Sequence, residues 1–395
     1  MSTETKEAGN SSRRLRLGMV GGGPGAFIGA VHRIAARLDD HFELVAAALS
    51  SDAARGRAAA RDLHIPPDRA YGDYKEMARS EAARADRIDA VSIVTPNNLH
   101  YPMAKAFLDA GIHVICDKPL TTTVDEALDL ADSVRRTRLI FGVTHNYTGY
   151  PMVRQARQMA ADGQLGKIRV VQVQYAQDWL ATPLENTGQK QAVWRTDPAQ
   201  SGPGGSLGDI GTHAYNLACF VTGLKCHQVA ADVSTFVPGR RLDDNVHILL
   251  RFEEGARGML WASQVATGNA NNLRLRVYGD KAGLEWHQEE PNCLQFARLG
   301  CAPEILRRLG AGGDSVPAAH ASRIPAGHPE GYLEAFAQLY TDLAEQIRAH
   351  DAKRSPAQQS LLVPNVEDGV EGMRFIAATL ESSRRNAQWT NLQAS

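Results

Sequence analysis

The chain has 395 residues, 43% of them hydrophobic and 22% charged, enough to bury the cores of two or three domains and too apolar for a disordered polymer. Its 43 Lys and Arg against 44 Asp and Glu leave a formal charge of -1 with no long basic run, which argues against a nucleic-acid partner. The cysteines number five, with no C-x-x-C pair, so neither a disulfide framework nor a structural zinc site is expected, and a reducing cytoplasm fits. No run approaches the ~20 apolar residues of a membrane span.

Residues 1–12 are polar and read as a disordered tail. Arg13-Arg14 could open an export signal, but the apolar run behind it enters a glycine turn directly, so 15–20 reads as the first strand of the fold. Residues 27–38 have helical spacing, with Ile28, Val31, Ile34, Ala35 and Leu38 on one side. A continuous apolar run, 42–49, has strand length, and 53–63 is helical and rich in Ala and Arg. Strand 88–94 ends at Thr95-Pro96, helix 101–110 is closed by Gly111, and strand 112–116 follows. Helix 123–136 carries acids early and arginines late, as the helix dipole favours, and 139–144 is one more strand. This rhythm predicts an α/β Rossmann domain over 13–145, with a doubly wound parallel sheet. Beyond residue 146 the period changes to two. Residues 168–175 alternate, 246–252 and 257–262 form a hairpin around Glu253-Glu254-Gly255, and 273–278 with 283–286 form another. Helices return at 332–348 and 366–384, with a Gly-, Ala- and Pro-rich loop over 300–327. The segment 146–395 is expected to be a C-terminal α+β domain with a large, mostly antiparallel sheet.

Gly21-Gly22-Gly23-Pro24-Gly25-Ala26-Phe27-Ile28-Gly29 follows the first strand and opens the first helix. That is the context a dinucleotide fingerprint needs: glycines let the backbone approach a pyrophosphate resting on the helix N-terminus. Gly21 and Gly23 fit the first two positions. The third is Ala26, or Gly29 if three residues are inserted, with Ala26, Phe27 and Ile28 opening the helix at the cofactor. An acid at the end of the second strand would hold a ribose 2′-hydroxyl, but the tip reads Ser50-Ser51-Asp52, with no carboxylate directly at the strand end. Ser50 and Ser51, with Arg55 and Arg57 nearby, could receive a 2′-phosphate or merely begin the next helix. The cofactor is therefore NAD or NADP, with a lean to NADP.

Asp209 and His213 stand four residues apart behind Gly204-Gly205-Ser206-Leu207-Gly208. If the chain is helical there, both side chains share one face about a turn apart. Such a pair is either a capped helix with a satisfied histidine or a carboxylate and a proton carrier aimed at one polar substrate. The second reading gains weight from Cys116-Asp117-Lys118-Pro119, where a strand ends in a lysine beside the expected nicotinamide pocket.

Together with Thr95-Pro96-Asn97-Asn98-Leu99-His100, Trp194-Arg195, Asp243-Asp244-Asn245, Val277-Tyr278-Gly279-Asp280-Lys281-Ala282-Gly283 and Glu367-Asp368-Gly369, these segments resemble the glucose–fructose oxidoreductase/inositol dehydrogenase (Gfo/Idh/MocA) family over nearly the whole chain. The family usually has Glu-Lys-Pro where this chain has Asp117-Lys118-Pro119, and the glycine loop carries an apparent insertion. The resemblance implies that Lys118, Asp209 and His213 form the catalytic group: His213 as acid/base, Lys118 stabilising the substrate oxygen and Asp209 orienting. It also implies that Thr95, Pro96, Asn97, His100 and Asp117 border the cofactor, and that Tyr147 and Arg195 join Lys118, Asp209 and His213 around substrate. The implied function is a cytoplasmic NAD(P)-dependent oxidoreductase acting on a carbohydrate, polyol or inositol-like hydroxyl. Alternatives are a redox-neutral sugar-modifying enzyme that retains its NAD, and a non-catalytic nucleotide-sensing regulator. The family's open sheet implies a homo-oligomer, dimer or tetramer. No His/Cys/Asp cluster has metal-ligand spacing, so no metal is expected.

Overall fold

The structure is a computed structural model and describes residues 13–392, so the expected tail over 1–12 lies outside the described residues. The first half runs β1 (Leu15–Gly21), α1 (Phe27–Leu38), β2 (Phe42–Ala48), α2 (Ala53–Asp62), α3 (Tyr74–Ala83), β3 (Ala90–Val94), α4 (His100–Asp109), β4 (His113–Cys116), α5 (Val124–Thr137) and β5 (Phe141–Val143). Its strands form one parallel sheet in the order β2-β1-β3-β4-β5. All five therefore end at the same edge, where α/β sheets of this kind bind ligands. Local chemistry agrees with the placement of α5: the Thr123 side chain accepts from the backbone of Glu126, Asp125 and Glu126 fill the first turn, and Arg135 and Arg136 close the last.

The second half contains α6 (Pro151–Ala161), β6 (Ile168–Ala176), α7 (Lys190–Arg195), α8 (Pro198–Ser201), α9 (Thr212–Thr222), β7 (Cys226–Ser234), β8 (Asn245–Phe252), β9 (Arg257–Ser263), β10 (Asn272–Gly279), β11 (Ala282–His287), β12 (Cys293–Arg298), β13 (Glu304–Arg307), α10 (Val316–His320), α11 (Tyr332–Asp351), α12 (Val366–Arg384) and β14 (Thr390–Asn391). Nine strands form one sheet, β13-β12-β11-β10-β6-β9-β8-β7-β14, antiparallel throughout except where β6 runs parallel to β9. Val171, Val173, Tyr175, Val246, Ile248, Leu250, Leu273, Leu275 and Val277 point into the core. The alternate positions, among them Gln172, Gln174, His247, Leu249, Met259, Arg274 and Arg276, line the opposite face.

Two features depart from the sequence reading. The loop over 300–327 contains β13 and α10, both too short to leave a periodic signal. Helix α11 packs not within the second sheet's core but on α1 and the first sheet: Phe336, Tyr340 and Leu343 share one cluster with Leu15, Leu17, Val31 and Phe42. A Cβ at Gly142 of β5 would lie 2.7 Å from Leu343, so this glycine allows the helix its close approach. Apolar area on the parallel sheet is thus covered by a segment that lies beyond the boundary placed at residue 145.

Candidate active site

The glycine loop leaves β1 and delivers the chain to α1. Gly21 (φ +80°) adopts a left-handed conformation, and a Cβ at Gly23 would sit 2.4 Å from the Leu49 carbonyl oxygen. A Cβ at Gly29 would lie 2.4 Å from Gly22 Cα, backbone against backbone. Gly29 is therefore the glycine that lets the helix pack on the strand end, and Ala26 is not: its backbone N–H closes a turn to Gly23 O at 3.0 Å. No side chain caps α1, its first turn holds no acid, Phe27 is exposed, and Ile28 packs into the core. At the end of β2, Ser50 Oγ accepts the Asp52 N–H, and the Asp52 carboxylate caps α2 by accepting from Ala54 and Arg55, while Ser51 is exposed. The Arg55 guanidinium donates to Pro24 O at 3.4 Å, back onto the glycine loop.

At the end of β3, Thr95 and Pro96 are half-buried, and Asn97 is buried with Nδ2 donating to Ser201 O at 2.8 Å. His100 is fully buried, its ring nitrogens set against Pro119 O (2.8 Å) and Thr95 O (3.0 Å). The expected cofactor contact of His100 is corrected accordingly: its ring joins two loops and is not presented to the cleft. Asp117 Oδ1 accepts the Thr144 hydroxyl (2.8 Å) and the Lys118 N–H (3.0 Å), which orients the turn that carries Lys118.

Lys118 and Asp209 meet. Lys118 Nζ donates to the Asp209 carbonyl and, at 2.9 Å, to its Oδ1. Asp209 Oδ2 accepts Gln264 Nε2 at 2.8 Å and faces Arg195 Nε at 3.3 Å. Burial pushes the Asp209 carboxyl up, but the charges of Lys118 and Arg195 outweigh it and hold the group well below the usual carboxylate range. Arg195 also lies over the Trp194 ring, 4.2 Å from its centroid. In the same helix, α7, Lys190 and Gln191 reach the carbonyls of Pro24 and Gly25, so one short element touches both the glycine loop and Asp209.

The segment Leu207–Gly211 is one wide π turn that continues into α9, not the regular α-helix implied by the four-residue spacing. Such turns are frequent at functional sites because they re-aim side chains and free backbone groups; here the Asp209 carbonyl is available to Lys118. Its start is pinned by Asp243, whose carboxylate accepts from Gly205 N (2.6 Å), Ser206 Oγ (2.7 Å) and Leu207 N (2.8 Å). A Cβ at Gly205 would lie 2.1 Å from Asp243 O, so the glycine serves this packing.

His213 is 8% exposed and sits among aromatic rings, with centroids 4.9 Å from Tyr147, 5.4 Å from His145 and 6.3 Å from Tyr175. Its Nδ1 is sealed without a hydrogen-bond partner, while Nε2, also unpartnered, is not among the sealed atoms. Burial first, then the charge of Lys118 and the presence of His145, push the imidazole well below its ordinary value against a smaller opposing pull from Asp209. His213 is neutral at pH 7. His145 is likewise pushed down to about 3, by burial and then by Lys118. Tyr147 is buried, and its hydroxyl bonds Tyr175, which in turn donates to Asn271 Oδ1 at 2.8 Å. Because Tyr175 spends its proton on Asn271, Tyr147 must donate to Tyr175.

Sequence reasoning passed over Gln264, His145 and the anchoring role of Asp243. Only Asp243 left a signal, as part of the Asp243-Asp244-Asn245 run. Among the described residues, one group could suggest a metal: His113, His350 and Asp351. His113 Nδ1 accepts the Ile140 N–H at 2.9 Å, so the neutral ring carries its proton on Nε2, the nitrogen facing Asp351, and offers no lone pair there.

A five-stranded parallel sheet with a glycine loop between its first strand and first helix is the architecture of a Rossmann domain. Residues 15–145 match the model of the oxidoreductase family with an NAD-binding Rossmann fold, and residues 153–285 match the GFO/IDH/MocA C-terminal domain. An uncharacterized oxidoreductase of Bacillus subtilis (strain 168), YfiI, is 36% identical over 97% of this chain and 98% of its own length. The crystal structure of an oxidoreductase from Sinorhizobium meliloti superposes with a TM-score of 0.87 at 52% identity, covering 96% of this chain and 99% of that one. An inositol dehydrogenase homolog from Azotobacter vinelandii, solved with NADH and myo-inositol, superposes with a TM-score of 0.87 at 36% identity, covering 96% and 98%. The chain belongs to the Gfo/Idh/MocA family of oxidoreductases.

Proposed function

We propose that this protein interconverts a secondary hydroxyl and a carbonyl on a sugar, polyol or inositol-like substrate. The observation that carries the reading is the unspent chemistry around Asp209. An ammonium has three N–H donors; Lys118 gives two to Asp209, leaving one for a substrate oxygen. Beside it stands a neutral His213 with Nε2 unpartnered and unsealed.

A dinucleotide fits the first domain. Gly22, Gly23 and Gly29 have no room for a Cβ, which keeps the loop tight over the end of β1, the first turn of α1 is uncapped, and Asn146 Nδ2 is buried with no partner. Gly21, Gly23 and the α1 N-terminus would hold the pyrophosphate, with Thr95, Pro96, Asn97 and Asp117 along the sheet edge. In place of the lean to NADP we read the cofactor as NAD: the Asp52 carboxylate, kept ionised by the N–H groups of Arg55 and Ala54 just beyond β2, would repel a 2′-phosphate, and Arg55 is turned onto Pro24. When bound, the nicotinamide supplies the acceptor for hydride. The chain's own residues do the rest. Lys118 hydrogen-bonds the reacting oxygen and stabilises its developing negative charge. His213 Nε2 takes the hydroxyl proton, and Asp209 then offsets the new imidazolium charge. Arg195 and Tyr147 border the substrate. In the reducing direction His213 returns the proton to the carbonyl oxygen.

The outer face of the nine-stranded sheet exposes Leu249 and Met259 beside a half-buried Trp261, which supports a homo-oligomer that covers it. The functional reading is tested by absorbance at the reduced nicotinamide band, with NAD+ and NADP+ run in parallel over a panel of inositols and sugars. Reduction of NAD+ by at least one cyclic polyol is expected; no net reduction over the whole panel, with the matching ketones also inert toward NADH, would contradict it.

A further inference from the structure

Gln264, the residue after β9, is 2% exposed. Its amide is oriented by chemistry: a carboxylate cannot donate, so the NH2 faces Asp209 Oδ2, at 2.8 Å. Its backbone is fixed as well, N–H to Asp244 O at 2.8 Å and carbonyl to Leu180 N at 3.1 Å. The remaining polar atom, Oε1, has no protein partner, and it is not among the buried atoms sealed from solvent. It opens beside Asp209.

The acceptor count at Asp209 shows why this matters. An ionised carboxylate offers about four lone-pair positions. Lys118 occupies one on Oδ1 and Gln264 one on Oδ2, while Arg195 Nε faces Oδ2 at 3.3 Å as an ion pair without a hydrogen bond. One position remains on each oxygen: that on Oδ2 faces the Arg195 guanidinium, and that on Oδ1, beside Lys118, suits a single hydroxyl. Arg195 and Lys118 are donors only, so a further substrate hydroxyl needs another acceptor.

We propose that Gln264 is a specificity-determining residue: its Nε2 fixes the Asp209 carboxylate, and its Oε1 accepts a second hydroxyl of the substrate. The site thereby selects diols and polyols over lone alcohols. This rests on the dehydrogenase reading above and refines its substrate class.

Gln264→Met keeps the length and removes both polar atoms. With NAD+ saturating, kcat/KM is measured on myo-inositol, trans-1,2-cyclohexanediol and cyclohexanol for wild type and Q264M, and NADH binding is measured by fluorescence. Expected is a loss on the two polyhydroxy compounds, mostly in KM, about 10-fold or more greater than the loss on cyclohexanol, which reports the loosened Asp209 carboxylate alone, with NADH binding unchanged. Equal losses on all three, as a merely structural role would give, overturn the proposal, as does unchanged preference. Calorimetric titration of the NADH-loaded proteins with myo-inositol repeats the test without turnover: weaker binding to Q264M supports the assignment, and equal binding, or none to either protein, overturns it. Failure of the dehydrogenase reading is separately visible, as a wild-type protein that oxidises none of the compounds.

Discussion

Asp209→Asn removes one charge and almost no volume, which isolates what the carboxylate does. Two donors and a further cation converge on it: Lys118 Nζ and Gln264 Nε2 by hydrogen bonds, and Arg195 Nε as an ion pair at 3.3 Å. An asparagine that turns its oxygen to Lys118 must turn its NH2 to the other two. Gln264 can rotate its amide to accept; Arg195 cannot, because a guanidinium only donates. Two partly buried cations then lose their counter-charge, at a cost below the about 3–5 kcal/mol of a fully buried pair, and the substrate loses its ordered acceptor. A fall in kcat/KM of roughly 10²–10³-fold is expected, about 3–4 kcal/mol of transition-state stabilisation. The pH dependence carries a sign. Asp209 is the group that raises the His213 pKa against Lys118 and burial, so its loss moves the acid limb of the oxidation profile to lower pH. The assay is kcat/KM for polyol oxidation between about pH 5 and 9, with NAD+ affinity as a control expected within about 3-fold of wild type. An acid limb that moves up, or a kcat/KM within about 3-fold of wild type, would refute the placement of Asp209 beside both Lys118 and His213.

Gly29→Ala sets a Cβ 2.4 Å from Gly22 Cα and 2.5 Å from Gly22 O, where no side chain can yield. A loss of about 1–3 kcal/mol in urea unfolding and NAD+ binding weakened about 10-fold or more are expected; wild-type values for both would show that the loop packs otherwise. Burial pushes His32 down to about 4 and His145 to about 3. Both stay neutral in the folded state while the unfolded chain takes up protons below about pH 6.5, so stability present above that pH is lost as pH falls toward 4, by up to about 3 kcal/mol per histidine. Urea midpoints that stay flat from about pH 7 to 4.5 would contradict this.

The alternation of apolar strands and amphipathic helices made the Rossmann half legible, because each parallel strand is buried on both faces and each helix on one. Helix α1 matches its apolar stripe from Phe27 to Leu38, and α12 matches from Val366 to Arg384. What stayed hidden is set by tertiary contact. Nothing in the 332–351 pattern says that its apolar side meets α1 instead of the second sheet. The third glycine of the loop could be chosen only by seeing Gly29 against Gly22. The spacing of Asp209 and His213 suggested one helical face; the π turn reaches a shared site by a different local geometry, pinned at Leu207 by Asp243, 36 residues further on. Gln264 and His145 sit in ordinary strand-end sequence, and only their neighbours make them part of a site.

The most direct test of His213 as the proton carrier is His213→Ala, assayed for turnover of a polyol identified in the panel and for NADH binding by fluorescence. The account predicts a loss of kcat of about 10²–10⁴-fold with cofactor affinity nearly unchanged. Turnover at the wild-type rate would remove His213 from the chemistry and leave Lys118 and Asp209 without the partner this site assigns them.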